Sequence, residues 1–221
     1  MNSKDTNHNR SIFFDLDGTL TDPREGIVRC IAHALEQLGR KSPAEHVLER
    51  YIGPPLYESF AALLDTKELG LVNRAVELYR ERFALKGMYE NTLYSGIIDA
   101  LNDLQQQKAQ LYVVTSKPTV FAVPIVEHFG LQQFFQQVYG SELDGTRVNK
   151  TELISWVLEK ERIPPSNAVM VGDREHDIKG ALANGVRPIG VLWGYGSREE
   201  LLRAGAVKLV TTPVSLAMHI A

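Results

Sequence analysis

The chain has a single cysteine, Cys30. It cannot form an internal disulfide, so a packed core must hold the fold and a reducing compartment is the default. Cys30 lies in an apolar helical pattern, which points to a small core residue rather than a nucleophile. A basic excess is also missing. The 24 Lys and Arg stand against 27 Asp and Glu, for a formal net charge of −3. The basic residues are scattered, so there is no electrostatic footprint for nucleic acid. No apolar run approaches the length of a membrane span. The first ten residues, MNSKDTNHNR, are polar, lack the apolar stretch of a secretory signal, and read as a frayed tail. There is no internal repeat and no low-complexity segment. These absences describe a soluble, cytoplasmic protein with neither nucleic acid nor membrane as partner. Its 221 residues, 44% hydrophobic and 23% charged, suffice for one large domain or two small ones.

What the chain does have is a series of short apolar runs. They are Ile12 to Phe14, Leu111 to Val114, Val138 to Tyr139, Ala168 to Val171 and Ile189 to Leu192. Each is mostly β-branched or aromatic and is bounded by polar residues or glycine, as buried strands are. Helical spacing separates most of them, as in Ile97, Ile98, Leu101 and Leu104, or Leu153, Ile154, Val157 and Leu158. Strand and helix in alternation predict an α/β, Rossmann-like parallel sheet with helices on both faces. Such a sheet gathers its strands' C-terminal ends on one edge, where ligands bind.

The segment from about Thr21 to Glu90 breaks the alternation and holds no convincing strand. Asp22-Pro23-Arg24-Glu25 reads as a helix start, with Asp22 as N-cap and Glu25 placed for a capping box. Ile27, Ile31, Leu35 and Leu38 then line one face, and Gly39 stops the helix. Ser42-Pro43-Ala44-Glu45 repeats the start signal. Leu56, Phe60, Leu63 and Leu64 mark another helix, and Val72, Val76, Tyr79 and Phe83 a longer one from about Lys67 to Leu85. This is an inserted all-helical cap over residues 21–90, with a core of residues 1–20 and 91–221. One signal conflicts with the scheme. Pro124 falls inside the helix expected from Thr119 to His128, which should therefore start later or kink.

The strand ends carry the polar residues. The first ends in Asp15-Leu16-Asp17, the second in Thr115-Ser116-Lys117, and the fourth in Gly172-Asp173 with Asp177 following. Asn149-Lys150-Thr151 opens the helix between the third and fourth. On one edge of a parallel sheet, these form a crevice of up to four carboxylates, a hydroxyl pair and an ammonium. Aspartates packed so closely protonate unless a cation holds them. Oxygen donors without His or Cys favour Mg²⁺ over Zn²⁺. The ion, Lys150 and backbone N–H groups would attract one multiply charged anion, with phosphate the obvious candidate. Asp15 stands where a carboxylate nucleophile would, and Asp17 is close enough to shuttle a proton.

The segments DLDGTL, VVTS, Lys150 and GDREHD occur in the order and context of the haloacid dehalogenase (HAD) superfamily, which the chain resembles from about Ser11 to Val210. DLDGTL matches the first motif, D-x-D-x-T. Thr115 matches the second, Lys150 the third, and Asp173 with Asp177 the acidic fourth. The helical insertion is similar to this family's helical cap. TDPREGI, YIGPPL and LWGYGSREEL resemble its phosphoglycolate-phosphatase-like branch, of which some members are nucleotidases. The resemblance implies that Asp15 is nucleophile and metal ligand. Asp17 would be the general acid and base, with its backbone carbonyl on the metal. Thr115, with Ser116 beside it, and Lys150 would bind the phosphoryl group, Lys150 as part of the catalytic set. Asp173 would ligate Mg²⁺ and Asp177 would support it.

Each signal alone has a bland reading: a turn for D-x-D, a helix N-cap for Thr115-Ser116, a solvated lysine for Lys150. Together, in order and at strand ends, they specify phosphoryl transfer. His176 has no second histidine at ligand spacing and reads as an exposed residue. Trp193-Gly194-Tyr195-Gly196 either borders the crevice or packs an aromatic over a glycine turn. In the cap, Arg24, Leu56 and Arg82 are candidate substrate contacts, although a solvated helix face is the simpler reading of each arginine. A P-loop kinase or ATPase is disfavoured, because DGTRVNKT (Asp144 to Thr151) lacks the required glycines. A receiver-type signalling domain would have no use for the helical insertion, and a dehalogenase would need neither Asp17 nor the metal. The expected activity is a Mg²⁺-dependent phosphatase for small phosphorylated metabolites, acting through an aspartyl-phosphate and phosphoglycolate-phosphatase-like. A 5′-nucleotidase and a phosphomutase are the alternatives.

Overall fold

The computed structural model describes residues 10–220. The polar tail read from the first ten residues lies, except for Arg10, outside them. In chain order, β1 (Ser11–Phe14) and the two-residue β2 (Thr21–Asp22) precede four helices. These are α1 (Arg24–Gln37), α2 (Glu45–Leu48), α3 (Leu56–Leu63) and α4 (Leu69–Arg82), the last running into a π-turn at Phe83–Gly87. Then come β3 (Thr92–Leu93), α5 (Ile97–Gln106), β4 (Gln110–Pro118), α6 (Thr119–His128), β5 (Gln137–Ser141) and α7 (Lys150–Glu161). The chain closes with β6 (Ala168–Gly172), α8 (Glu175–Ala183), β7 (Arg187–Val191), α9 (Arg198–Ala204), β8 (Lys208–Val210) and α10 (Leu216–Ile220).

The main sheet is parallel, with order β5-β4-β1-β6-β7-β8. β1 is central because alternate side chains are needed on both faces. Ile12 pairs across with Leu111 and Val169, Phe13 with Tyr112 and Met170, Phe14 with Val113 and Val171. Ile12 and Phe14 join one hydrophobic cluster, which includes α1, α4, α5 and α6. Phe13, Tyr112, Val114 and Met170 face the other, against Leu153, Ile154 and Val157 of α7. The chain departs from β1 toward β4 and β5 on one side and returns to β6 on the other. The C-terminal ends of β1, β4 and β6 therefore meet where the strand order reverses, the favoured place for a ligand.

Several expectations are corrected. The sheet has a sixth strand, β8, whose three residues KLV are too short for a periodic signal. The inserted segment is not free of strand, since β2 pairs antiparallel with β3. That ribbon ties the two ends of the helical insertion together. Asp22 accepts from Arg24 N at 3.0 Å, but α1 starts one residue later than the Pro23 signal implies. No capping box forms there, because Glu25 pairs with Arg29 instead. Ser42 likewise does not cap, since Ala44 holds the position before the short α2. Gly39 does end its helix, with φ of +68°. α6 runs through Pro124 and starts at Thr119 all the same. The carbonyl that loses its partner belongs to Val120, an exposed residue within reach of water.

Within the insertion, α1 packs along α4 and the π-turn. The approach is at backbone distance. A Cβ on Gly26 would lie 2.0 Å from the Gly87 carbonyl oxygen, and one on Gly87 would lie 2.4 Å from Cys30 Sγ. Cys30 is fully buried there, and burial pushes its thiol up to about 11 despite the neighbouring Arg82, so it is no nucleophile. The same cluster runs on into the sheet face through stacked Tyr79 and Phe83 and an edge contact from Phe83 to Phe121 at 5.3 Å. Among the described residues, no helix is long and apolar enough to cross a membrane. Gly26→Ala should force α1 off the π-turn and cost about 1–3 kcal/mol in urea denaturation. Wild-type stability in that variant would show that the two elements separate without penalty.

Candidate active site

The site grows out of the end of β1. Asp15 N still donates to Val171 O at 3.0 Å, so the strand pairing extends to the first aspartate. The chain then turns sharply, with Leu20 N and Thr21 N both returning to Leu16 O. Gly18 makes this turn at φ +81°, and a Cβ there would sit 2.2 Å from Asp173 Oδ2. The turn thus needs glycine twice, for its left-handed backbone and for the carboxylate beside it. Asp15 and Asp17 project on the same side into a cavity of about 510 Å³.

Lys150 is the first residue of α7, and the Asn149 side chain caps that helix by accepting from Thr151 N at 2.8 Å. This aims the Lys150 ammonium back at the sheet. Its Nζ lies 2.9 Å from Asp15 Oδ1 and donates to Val114 O at 3.0 Å. It also lies 2.8 Å from Asp177 Oδ1, an ion-pair contact whose direction falls outside hydrogen-bond geometry. Burial opposes that ammonium, but Asp15 and Asp177 outweigh it and push Lys150 above its ordinary value. The second Asp177 oxygen accepts from Arg174 N at 3.1 Å, at the start of α8.

Asp15, Asp173 and Asp177 each offer a carboxylate oxygen, all within 4.8 Å of one another. Lys150 reaches two of them. Asp173 is fully buried, and among the described residues its hydrogen bonds come from neutral donors alone, Thr19 Oγ1 at 3.2 Å and Tyr195 N at 2.9 Å. Burial first, then Asp177 and Asp15, push its carboxyl well above the usual range. Burial likewise pushes Asp177 up to about 6 against the pull of Lys150. An all-oxygen cluster short of positive charge suits a hard divalent cation.

Asp17 stands apart from that cluster. Its Oδ2 lies 2.8 Å from Lys117 Nζ, while its Oδ1 is buried without a hydrogen-bond partner. Burial raises its carboxyl and Lys117 partly offsets the rise. Thr115 and Ser116 line the same cavity, Thr115 buried and accepting from Lys117 N at 3.2 Å. The structure therefore gathers every strand-end candidate in one place: Asp15, Asp17, Thr115, Ser116, Lys150, Asp173 and Asp177. Only Asp17, as a side chain, is missing from the carboxylate cluster.

The inserted helices roof the cavity. Tyr51, Tyr57, Tyr79 and Phe83 line it from above, with Phe121 below. Leu56 is a lining residue, as expected of it, and exposed His176 lies at the rim. The two cap arginines are not. Arg24 is exposed, near Asp22 and Glu49. Arg82 does not line the cavity and is not a solvated side chain. It is mostly buried and forks onto Glu90 at 2.7 and 3.0 Å, locking the end of α4 to the chain leaving the insertion. Trp193-Gly194-Tyr195-Gly196 does both of the things open to it. Tyr195 lines the cavity, while Trp193 Nε1 braces the β1 turn at Thr19 O, 2.9 Å away. A Cβ on Gly196 would lie 1.9 Å from the Asp173 carbonyl, so the segment must be bare to pass.

Two residues escaped the sequence reading. Lys117 was visible at the end of the second strand, but nothing marked its partner. Arg174 lies inside GDREHD. Its guanidinium bridges Glu200 at 2.8 Å and the Ile52 carbonyl of the roof at 2.8 Å.

The model of the haloacid dehalogenase-like hydrolase family matches residues 12–191. A 5′-nucleotidase of Pseudomonas aeruginosa is 49% identical over 191 residues, covering 86% of each chain. The tyrosine-protein kinase PtkA of Mycobacterium tuberculosis is 37% identical over 203 residues, which are 90% of this chain and 67% of that one. A phosphoglycolate phosphatase of Vibrio parahaemolyticus is 29% identical over 198 residues, 86% of each. The crystal structure of a predicted phosphatase from Clostridium acetobutylicum shares the fold with a TM-score of 0.91 and 40% identity, covering 96% of this chain and 98% of that one.

Lys150→Met would leave Asp15 and Asp177 facing each other in a buried site. In EDTA it should cost on the order of 3–5 kcal/mol in urea denaturation, as for a broken buried ion pair. A loss below about 1 kcal/mol would mean that the carboxylates share a proton and that the ammonium is dispensable to the fold.

Proposed function

The chain belongs to the haloacid dehalogenase-like hydrolase family and is a phosphoric monoester hydrolase, and we propose that it is a Mg²⁺-dependent phosphatase working through an aspartyl-phosphate. The observation that carries this reading is the meeting of Asp15, Asp173 and Asp177 beside Lys150 at the mouth of a roofed cavity. Mg²⁺ held by Asp15, Asp173 and the Asp17 backbone carbonyl would neutralise charge on the phosphoryl oxygens. Asp177, already committed to Arg174 N and Lys150, supports that set from behind. The boundaries 21–90 for a helical cap and 1–20 with 91–221 for the core belong to this proposal. The β2–β3 ribbon would be the joint between them.

Each residue's part follows from its position. Lys150 holds Asp15 Oδ1, which leaves Oδ2 to attack phosphorus. A bond forms from that oxygen to phosphorus as the bond to the leaving oxygen breaks. Asp17, through its unpartnered Oδ1, gives that oxygen a proton. Asp17 then takes a proton from water, which attacks the acyl phosphate and frees Asp15. Lys150 and the Thr115 and Ser116 hydroxyls steady the transferring group.

The substrate class follows from what lies beyond the phosphate. A cavity of about 510 Å³ with an aromatic roof of Tyr51, Tyr57, Tyr79 and Phe83 greatly exceeds the two-carbon glycolate moiety. It has the size and lining for a base and sugar, with a ring as a stacking surface. A nucleoside 5′-monophosphate is therefore our first substrate class. The 49% identity to a 5′-nucleotidase supports it over phosphoglycolate, whose named relative is 29% identical. A panel of phosphate monoesters should show higher kcat/KM for nucleoside monophosphates than for phosphoglycolate, and the reverse order would restore the earlier expectation. ATP-dependent tyrosine phosphorylation without monoester hydrolysis would favour the activity named for the mycobacterial relative instead.

EDTA should abolish hydrolysis and Mg²⁺ should restore it; full turnover by metal-stripped protein would overturn the mechanism. Asp15→Asn should fall to background. Asp17→Asn should lose on the order of 10²–10⁴-fold in turnover with an alkyl phosphate. With 4-nitrophenyl phosphate, whose leaving oxygen needs little protonation, Asp17→Asn should phosphorylate and then stall. Intact-mass measurement after acid quench should find an added phosphoryl group on Asp17→Asn and none on Asp15→Asn. A label on Asp15→Asn would exclude Asp15 as nucleophile.

A further inference from the structure

We propose that Lys117 is the positioning residue for the acid Asp17, and that Phe83 of the helical roof holds Lys117 in place, so that roof closure and orientation of the acid are one event. This rests on the phosphatase reading of the same site. Lys117 lies near the end of β4, one of the three strands that meet at the crevice. Its side chain is about 7% exposed, which is low for a lysine, and two groups hold it there. Asp17 Oδ2 is 2.8 Å from Nζ on the site side. On the roof side the Phe83 ring centroid is 4.4 Å from Nζ, within cation–π range.

The pairing divides the labour of the Asp17 carboxylate. Oδ2 is taken by the ammonium, while Oδ1 is buried and has no partner, the oxygen left for a leaving group. A carboxyl free to rotate would spend much of its time turned toward Asp15, Asp173 or water. An ammonium on one oxygen fixes its plane and its reach, which is what proton transfer requires. Lys150 cannot serve this purpose, because it is engaged by Asp15, Val114 O and Asp177.

Phe83 makes the arrangement depend on the roof. It is the first residue of the π-turn that ends α4, stacks on Tyr79 and meets Phe121 across the interface. With the roof displaced, the ammonium loses the ring face and gains water. Among the described residues, no other hydrogen bond, ion pair or ring then holds it beside Asp17. The acid would be aimed only when a substrate is enclosed, which would spare the enzyme misplaced proton transfers in the open state.

The test compares phenyl phosphate with 4-nitrophenyl phosphate, which share the aryl ester framework, differ by one para nitro group, and differ in how much the leaving oxygen needs a proton. Lys117→Met should lower kcat on phenyl phosphate on the order of tenfold more than on 4-nitrophenyl phosphate, with KM changed equally for both. It should also accumulate phosphoenzyme by intact mass on 4-nitrophenyl phosphate, whose phosphorylation step stays fast, because water activation needs the same carboxylate. Phe83→Leu should move the kcat ratio in the same direction by a smaller factor. Added to Asp17→Asn, the Lys117→Met change should cost nothing further on either substrate. An unchanged ratio with KM raised on both substrates would make Lys117 a substrate-binding residue and overturn the proposal. An additive loss in the double variant would do the same. If Lys117→Met does not fold, Phe83→Leu with the wild-type ratio would by itself refute the coupling. Should the wild type hydrolyse neither compound, the phosphatase reading fails and this inference with it. Should it hydrolyse both while the variants keep its ratio, the Lys117 assignment alone fails.

Discussion

Everything in this molecule is arranged around a surplus of negative charge at the end of one buried strand. Asp15, Asp173 and Asp177 are forced together by the pairing of β1 with β6, and among the described residues Lys150 alone forms ion pairs within the cluster, with Asp15 and Asp177. Like charges so close would drive a bare carboxyl group to protonate or the loops to part. Much of the surrounding sequence prevents the second outcome. Gly18, Gly194 and Gly196 let backbone pass within contact of Asp173, and Gly172 leaves room for the Asp177 side chain. Thr19, Tyr195 N and Arg174 N hold the carboxylates in place with hydrogen bonds that add no charge. The cluster is thus rigid and still short of a cation, the condition under which a bound metal and a phosphoryl group gain most.

The roof is tied to this cluster by different chemistry on each side. On one side aromatic rings run without a break from Phe60 through Tyr79 and Phe83 to Phe121. On another, Arg174 carries a hydrogen bond from the acidic loop to the Ile52 carbonyl, and Arg80 donates to Leu143 O at 3.0 Å. The β2–β3 ribbon is two residues long, so little backbone pairing resists movement between the layers. Single hydrogen bonds of this kind contribute about 1 kcal/mol each.

Legibility followed the range of the interaction. The five longer sheet strands and the helices between them could be read because apolar spacing is a local signal. β8 could not, since three residues carry no period. The helix starts at Asp22 and Ser42 were misplaced by a residue or two because capping is decided by φ and ψ, which motifs only suggest. β2 escaped because its two residues are a strand only by virtue of β3, beyond the whole insertion. Lys117 was passed over, and Arg82 was read as a substrate contact or a solvated side chain, for a related reason. A lysine or arginine is read as solvated unless its partner is known, and here the partners Asp17 and Glu90 are brought in by the fold.

The sequence by itself determined the alternating α/β order, the helical insertion after the first strand, and the set of strand-end residues Asp15, Asp17, Thr115, Lys150, Asp173 and Asp177. Those follow from residue type, spacing and the rule that parallel strands share one functional edge. Only the tertiary structure decided which carboxylates cluster and which one stands aside. Asp15 and Asp17 are neighbours in sequence, yet one joins Asp173 and Asp177 and the other turns to Lys117. The tertiary structure also decided the size and aromatic character of the space above the carboxylate cluster, since that space is bounded by elements from both layers. The physical reason is the same in both cases. Charge and shape at a site are sums over neighbours in space, and the chain order says which residues exist but not which of them meet.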